Sequence, residues 1–201
     1  MGTEITFRIA FFVLLGAILI VRMYFNLRIR QQGERVMPDR EAIRREGVGM
    51  FAARAVMFFV LIAVLVLYAI NHPWMQALNF TLPAGLHWLG FFIGLVSIAF
   101  LAWTEVELGK QFSPQLQLRK EHQLITSGPY AHIRHPHYTS IDGIGLAIAL
   151  LSANWFFVAF FILCVVGVWF RVPREERMML DQFGEKYEAY IQRTGRFLPK
   201  V

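Results

Sequence analysis

The chain has 201 residues, 56% of them hydrophobic and 15% aromatic but only 17% charged, where an average soluble domain carries about 25%. The apolar residues gather in long uninterrupted runs, which excludes an ordinary soluble enzyme and points to helices surrounded by hydrocarbon. A lone cysteine, Cys164, inside one of those runs excludes a disulfide framework and a thiolate metal site, and the net charge of +6 reads as a record of membrane topology rather than a nucleic-acid surface.

In chain order the apolar stretches are Ile5 to Tyr24, Ala52 to Ile70, Leu86 to Trp103 and Tyr138 to Phe170. The last is too long for one crossing, which needs about 20 residues, and Ser152-Ala153-Asn154 interrupts it with a turn-like polar triplet. It therefore divides into a hairpin. Its first arm, Tyr138 to Leu151, is only about 21 Å long at 1.5 Å per residue, short of a full crossing, so its start is expected below the headgroups. The fold predicted is one all-α integral membrane domain over residues 1–201. Three spans occupy 1–104, a cytoplasmic loop 105–137, the hairpin 138–170, and a cytoplasmic amphipathic helix and tail 171–201. That makes five transmembrane helices.

Basic residues set the orientation. Arg22 to Arg54 carries eight Lys and Arg, Glu105 to Arg134 four and Arg171 to the C-terminus seven, whereas Asn71 to Pro83 and Ser152 to Asn154 carry none and the N-terminus only Arg8. The basic segments are thus expected in the cytoplasm and the N-terminus outside. Trp74 and Trp155 then fall at the outer interface and Trp103 and Trp169 at the inner one, while Trp88 fits less neatly. The first apolar run reads as an anchor, since no basic n-region or A-x-A site accompanies it. The formal myristoylation pattern at Gly2 falls on the non-cytoplasmic side.

Four of the six histidines lie between residues 122 and 137. His132, His135 and His137 invite a metal reading, but no cysteine is near and no metal is assigned. Pro136 suits the first turn of the short fourth helix. Such a helix, entering from a polar segment, makes a cytoplasm-facing notch whose backbone amides can hold a polar ligand; a plain interfacial loop is the alternative. Asp142, one turn beyond Tyr138, must face protein or a polar cavity, and both a structural pairing and a catalytic role stay open. Gly143 and Gly145 on the same helix suit close helix packing. After the last span, Pro173 suits the first turn of a new helix and Glu175 and Glu176 its positive end. Arg171 and Glu175 share a face if that helix is continuous. Leu180, Phe183, Tyr187, Tyr190 and Ile191 recur at helical spacing, predicting a short amphipathic helix over the membrane or over the notch, with Gly184 weakening its middle.

Four elements carry a resemblance: Leu124-Ile125-Thr126-Ser127-Gly128-Pro129-Tyr130, Arg134-His135-Pro136-His137-Tyr138, Arg171-Val172-Pro173-Arg174-Glu175-Glu176, and Thr194-Gly195-Arg196-Phe197-Leu198-Pro199. Together they resemble the isoprenylcysteine carboxyl methyltransferase family, most closely its smaller prokaryotic members, over about residues 105 to 200. The Arg-His-Pro-x-Tyr element alone is shared with phospholipid N-methyltransferases and membrane sterol reductases. The resemblance implies an S-adenosyl-L-methionine site in the cytoplasmic notch. Gln115, His122, Gln123, Leu124, Ile125, Tyr130, His135, Pro136, His137 and Tyr138 would line the cofactor, Glu175 would hold it from the C-terminal side, and Arg171 would orient the substrate carboxylate. The acceptor implied is a lipophilic small molecule or lipidated substrate entering from the bilayer among the membrane lipids, with no nucleic-acid partner.

An ionised carboxylate needs no general base to attack a sulfonium methyl group, so proximity in a water-poor site would do the work. Methylation of an amino lipid differs: its ammonium must first lose a proton, and His132, His137 or Asp142 become candidate bases. An NADPH-dependent reductase is a third reading, opposed by the acids of the Arg171 to Glu176 element. A non-catalytic membrane module is a fourth; its midplane would need polar lining, and the spans offer little beyond Asp142 and Ser97.

Overall fold

The computed structural model describes residues 2–31, 48–109 and 124–200. The described residues form seven α-helices: α1 (Gly2–Gln31), α2 (Val48–Ala69), the short α3 (Pro73–Ala77), α4 (Ala84–Leu108), α5 (Pro136–Ser152), α6 (Trp155–Phe183) and α7 (Glu185–Arg193), with a 3-10 turn at Gly128–Ala131. No strand occurs among them, only two isolated bridges. Four segments, Glu4–Gln31, Phe51–Ala69, Ala84–Leu108 and Trp155–Phe183, are long and apolar enough to cross a membrane. At 17 residues, α5 measures about 26 Å, still short of a ~30 Å hydrocarbon layer.

The helices are built where hydrocarbon solvates one side and a small core the other. Phe11 and Leu14 of α1, Ile98 and Leu101 of α4, Ile144, Ala147 and Leu151 of α5 and Phe157 of α6 form that core, with Tyr68 and Met75 joining it. Most of the remaining apolar side chains, Val13, Phe59, Val96 and Trp169 among them, point outward. In hydrocarbon the helix association rests on close packing, and α5 supplies it. A Cβ at Gly143 would collide with the Ser97 side chain of α4, and one at Gly145 would lie 2.6 Å from the Phe161 ring of α6, so both glycines do what their spacing predicted.

The break between α5 and α6 falls at the predicted triplet. Ala153 takes a left-handed conformation (φ 43°), and the fully buried Asn154 caps α6 by accepting from Phe156 N at 3.0 Å. Its amide donates to Met75 O at 2.8 Å and to Asn79 Oδ1 at 2.7 Å, docking the connection on α3 and the segment after it. Within the membrane-facing bundle Arg8 of α1 donates to the Tyr68 and Ala69 carbonyls at the end of α2, satisfying acceptors a helix terminus leaves open.

Three boundaries differ from the sequence reading. First, α1 extends to Gln31 rather than Tyr24. Second, α4 runs on to Leu108, so Glu105 belongs to the helix and not to the loop, and it is buried against Arg22 Nη1 of α1 at 2.5 Å. An ion pair between two helices lets each continue past its apolar run. Third, no new helix begins at Pro173, which lies inside the continuous α6. A proline ring removes one backbone bond and usually breaks a helix. Here Val172 is buried and the next turn is anchored through Glu175 and Glu176, so tertiary contacts hold the helix through it. The chain bends instead at Gly184 (φ 51°), so the predicted amphipathic helix is the end of α6 plus α7.

Candidate functional site

The site is assembled where the N-terminus of α5, the charged end of α6 and the C-terminal tail meet. Pro136 opens α5, as its fixed φ suits, which sends His137, Tyr138 and Thr139 along the first turn. Tyr138 donates its hydroxyl to Glu175 Oε2 of α6 at 2.8 Å. Arg171, one turn earlier on α6, acts on the same phenol and on His137. Because α6 is continuous, Arg171 and Glu175 share a face, and that face is turned towards α5.

Directly beside this group Glu176 forms a buried hub. Its Oε1 accepts from Arg134 Nε at 3.1 Å and Arg196 Nε at 3.2 Å and lies 3.3 Å from His135 Nε2, while Oε2 pairs with Arg196 Nη2 at 2.5 Å. One carboxylate thus joins α6 to the Arg134-His135 segment and to the tail. Arg134 also donates to the carbonyls of Ile191 and Thr194, closing the end of α7 as a cation near a helix C-terminus does. The tail runs beside the loop through Arg134 N to Gly195 O at 2.8 Å, His135 N to Arg196 O at 3.0 Å and Gly195 N to His132 O at 3.1 Å. Only glycine fits at 195: a Cβ there would overlap the Leu198 carbonyl. Thr139 Oγ1 donates to Phe197 O at 2.8 Å, so the tail is also tied to α5.

The helix α7 covers this loop rather than lying on the membrane with its aromatic face. Tyr187 and Tyr190 are buried, and Tyr190 donates its hydroxyl to Tyr130 O at 2.7 Å. Burial pushes the Tyr190 phenol up to about 12. Burial also drives the Tyr130 phenol well above its ordinary range, with the Glu175 carboxylate adding to the effect and Glu105 contributing. Tyr130 therefore stays neutral at any physiological pH. From the other side Ser127 donates to Glu107 at the end of α4.

Of the residues assigned from the sequence, Tyr130, His135, Pro136, His137, Tyr138, Arg171 and Glu175 are brought together around the α5 N-terminus. Leu124 and Ile125 lead into the 3-10 turn and are half-buried. Gln115, His122 and Gln123 lie outside the described residues. The three histidines that suggested a metal part company, His132 on the surface and His135 on Glu176, and among the described residues no cluster of three metal-ligating side chains occurs. Sequence reasoning missed Glu176 as a hub, reading it only as helix capping, and gave no role to Arg134, Arg196 or the Arg22 and Glu105 pair. The available signal was the occurrence of these charges inside otherwise apolar or motif-bearing segments, where an unpaired charge is costly.

A family model for the isoprenylcysteine carboxyl methyltransferase (ICMT) family matches residues 88–181. Across that segment the chain is similar to this family. It is 31% identical over 100 residues to the protein-S-isoprenylcysteine O-methyltransferase of Schizosaccharomyces pombe, covering 48% of this chain and 42% of that one. It is 33% identical over 105 residues to protein-S-isoprenylcysteine O-methyltransferase B of Arabidopsis thaliana, covering 48% of this chain and 50% of that one. The chain thus spans about half the length of these relatives. The fold is similar to the solved structure of the eukaryotic intramembrane Ras methyltransferase ICMT, with a TM-score of 0.54 and 22% identity over 76% of this chain and 53% of that one. The matched segment contains most of α4, all of α5 and most of α6, and with them Tyr138, Arg171 and Glu175.

Proposed function

We propose that the chain is an integral-membrane methyltransferase that uses S-adenosyl-L-methionine to methylate the carboxylate of a lipophilic, isoprenylcysteine-like acceptor drawn from the bilayer. The observation that carries this reading is the convergence of Tyr138, Glu175 and Arg171 at the mouth between α5 and α6. A carboxylate and a guanidinium one helical turn apart offer matched holds for a cationic donor and an anionic acceptor.

In this reading α5 is the short fourth of five crossings, the N-terminus is outside, and the mouth and the C-terminus face the cytoplasm. The donor set suits the cofactor. The Glu175 carboxylate favours a sulfonium, and the α5 N-terminus favours a carboxylate. When bound, S-adenosyl-L-methionine supplies an activated methyl group. Glu175, kept in place by Tyr138, balances positive charge, and Tyr130, Leu124, Ile125 and His135 to Tyr138 line the same space, with Gln115, His122 and Gln123 completing it. Arg171 orients the acceptor carboxylate with its planar fork. The carboxylate is already ionised at neutral pH, so these residues act by positioning and by excluding water, an effect able to supply about 7–11 kcal/mol.

The test is binding of radiolabelled S-adenosyl-L-methionine and of NADPH to the detergent-purified chain, followed by methyl transfer to a prenylcysteine acid and to its matched amide. Binding of the methyl donor and methylation of the acid alone are expected. Binding of NADPH instead, equal turnover of the amide, or turnover only of an amino lipid would overturn the reading.

A further inference from the structure

Helix α1 reaches the mouth through one ion pair. Its Arg22 donates through Nη1 to Glu105 Oε1 of α4 at 2.5 Å, with the Glu105 side chain only 2% exposed and that of Arg22 35%. The pair stands beside residues assigned to the cofactor space. Arg22 acts on His137 as Arg171 does, and Glu105 acts on Tyr130 together with Glu175 and Tyr138. The packing agrees with this placement. Helix α1 lies against both α4 and α5, and α4 lies against the 3-10 turn that carries Tyr130, where Ser127 donates to Glu107.

Holding the two helices together does not by itself account for the pair. Apolar side chains of similar volume would join α1 to α4 about as well, because the cost of burying two charges consumes most of what their attraction returns. An arginine at the end of an apolar run can also extend to the headgroups, yet Arg22 turns inward, onto an acid nearly sealed from solvent. The guanidinium does not lose its proton, and at hydrogen-bond distance its charge offsets the cost of burying the Glu105 anion. Charges around the mouth are then balanced, Arg22 and Arg171 against Glu105 and Glu175. Without Glu105, two guanidiniums would face one carboxylate, and at low dielectric they would oppose a cationic ligand.

We infer that Glu105 is a charge-balancing residue of the cofactor site, cancelling Arg22 so that the space beside Tyr130 and His137 accepts a cation. This rests on the S-adenosyl-L-methionine reading above. Glu105 works through Arg22 and need not touch the ligand, so it is a positioning residue and not a catalytic one. Arg22 lies outside residues 88–181, the segment that the family model matches, which makes the N-terminal helix part of the electrostatics of the site. Loss of the methyl group turns the cationic sulfonium into a neutral thioether. Balancing Arg22 therefore favours the methyl donor over S-adenosyl-L-homocysteine, the spent cofactor, and so limits inhibition by that product.

The experiment is calorimetric titration of the detergent-purified full chain with S-adenosyl-L-methionine and with S-adenosyl-L-homocysteine, two ligands that differ by the methyl group and the positive charge it brings. Glu105→Gln is expected to weaken the methyl donor roughly 5- to 30-fold and the thioether by less than about twofold, the range of one uncompensated charge at an effective dielectric constant of about 20. Arg22→Gln/Glu105→Gln, which removes both charges and keeps side chains that can hydrogen-bond, is expected to restore the wild-type ratio of the two affinities. Equal weakening or loss of both ligands in Glu105→Gln marks a purely structural pair and overturns the inference. An unchanged ratio in that variant, or a lowered ratio that persists in the double variant, overturns it too. In each of these cases wild-type chain that binds the methyl donor leaves the cofactor reading standing. Wild-type chain that binds neither ligand overturns that reading, and the role of Glu105 with it.

Discussion

His135 Nε2 lies 3.3 Å from Glu176 Oε1, and both side chains are buried. The same oxygen serves Arg134 and Arg196, so a single carboxylate holds the start of α5, the end of α6 and the C-terminal tail in one arrangement. Its neighbour in sequence, Glu175, turns to Tyr138 instead. Two consecutive acids thus divide the labour, one building the frame and the other facing the mouth.

Glu176→Ala should be the most destabilising of the acidic substitutions, because it leaves the nearly buried Arg134 guanidinium uncompensated; breaking a buried pair in this way costs about 3–5 kcal/mol. Arg196 is largely exposed, so Arg196→Ala should cost at most about 1 kcal/mol. Thermal unfolding of the two variants in the same detergent checks the order. Equal losses would mean that Glu176 is not the hub.

Glu175→Gln preserves volume and removes the charge proposed to face the cofactor. Affinity for S-adenosyl-L-methionine, measured by calorimetric titration, should fall while the fold is retained. A residue that only favoured its helix terminus would change stability by about 0.3–1 kcal/mol and leave affinity untouched.

Arg171→Lys should keep cofactor binding and lose most methyl transfer to a prenylcysteine acid. Lysine retains the charge and can reach the headgroups, but it lacks the two-pronged planar grip on a carboxylate. Wild-type turnover by this variant would remove Arg171 from the acceptor site and leave the reaction class standing.

A reporter fused after Val201 and one inserted near Gly33 should both read cytoplasmic, and one near Gln76 external, as the distribution of Lys and Arg requires. An external C-terminus would put the mouth on the wrong side for a cytoplasmic cofactor. The proposed mechanism would then fail.

The apolar runs, the break at Ser152 to Asn154 and the start of α5 at Pro136 were all legible in the sequence, because hydrocarbon burial, turn chemistry and proline geometry act locally and leave a pattern within a few residues. So was the pairing of Arg171 with Glu175 on one face, which needs only the helical period. Three of the four motifs also fell inside the segment that the family model matches, residues 88–181, while Thr194 to Pro199 lies beyond it. What the sequence could not specify was which charges meet. Arg22 and Glu105 are 83 residues apart, Arg134 and Glu176 42, and Tyr130 and Tyr190 60; no periodicity links them, since only the packing of different helices brings them together. The same tertiary contacts decided that α6 passes through Pro173, against local preference, and that α7 lies over the loop. Local rules fixed where α5 begins, where the break before α6 falls and which stretches are apolar. The site itself depends on buried charges finding partners across the fold, because at that depth a charge without one is too costly to keep.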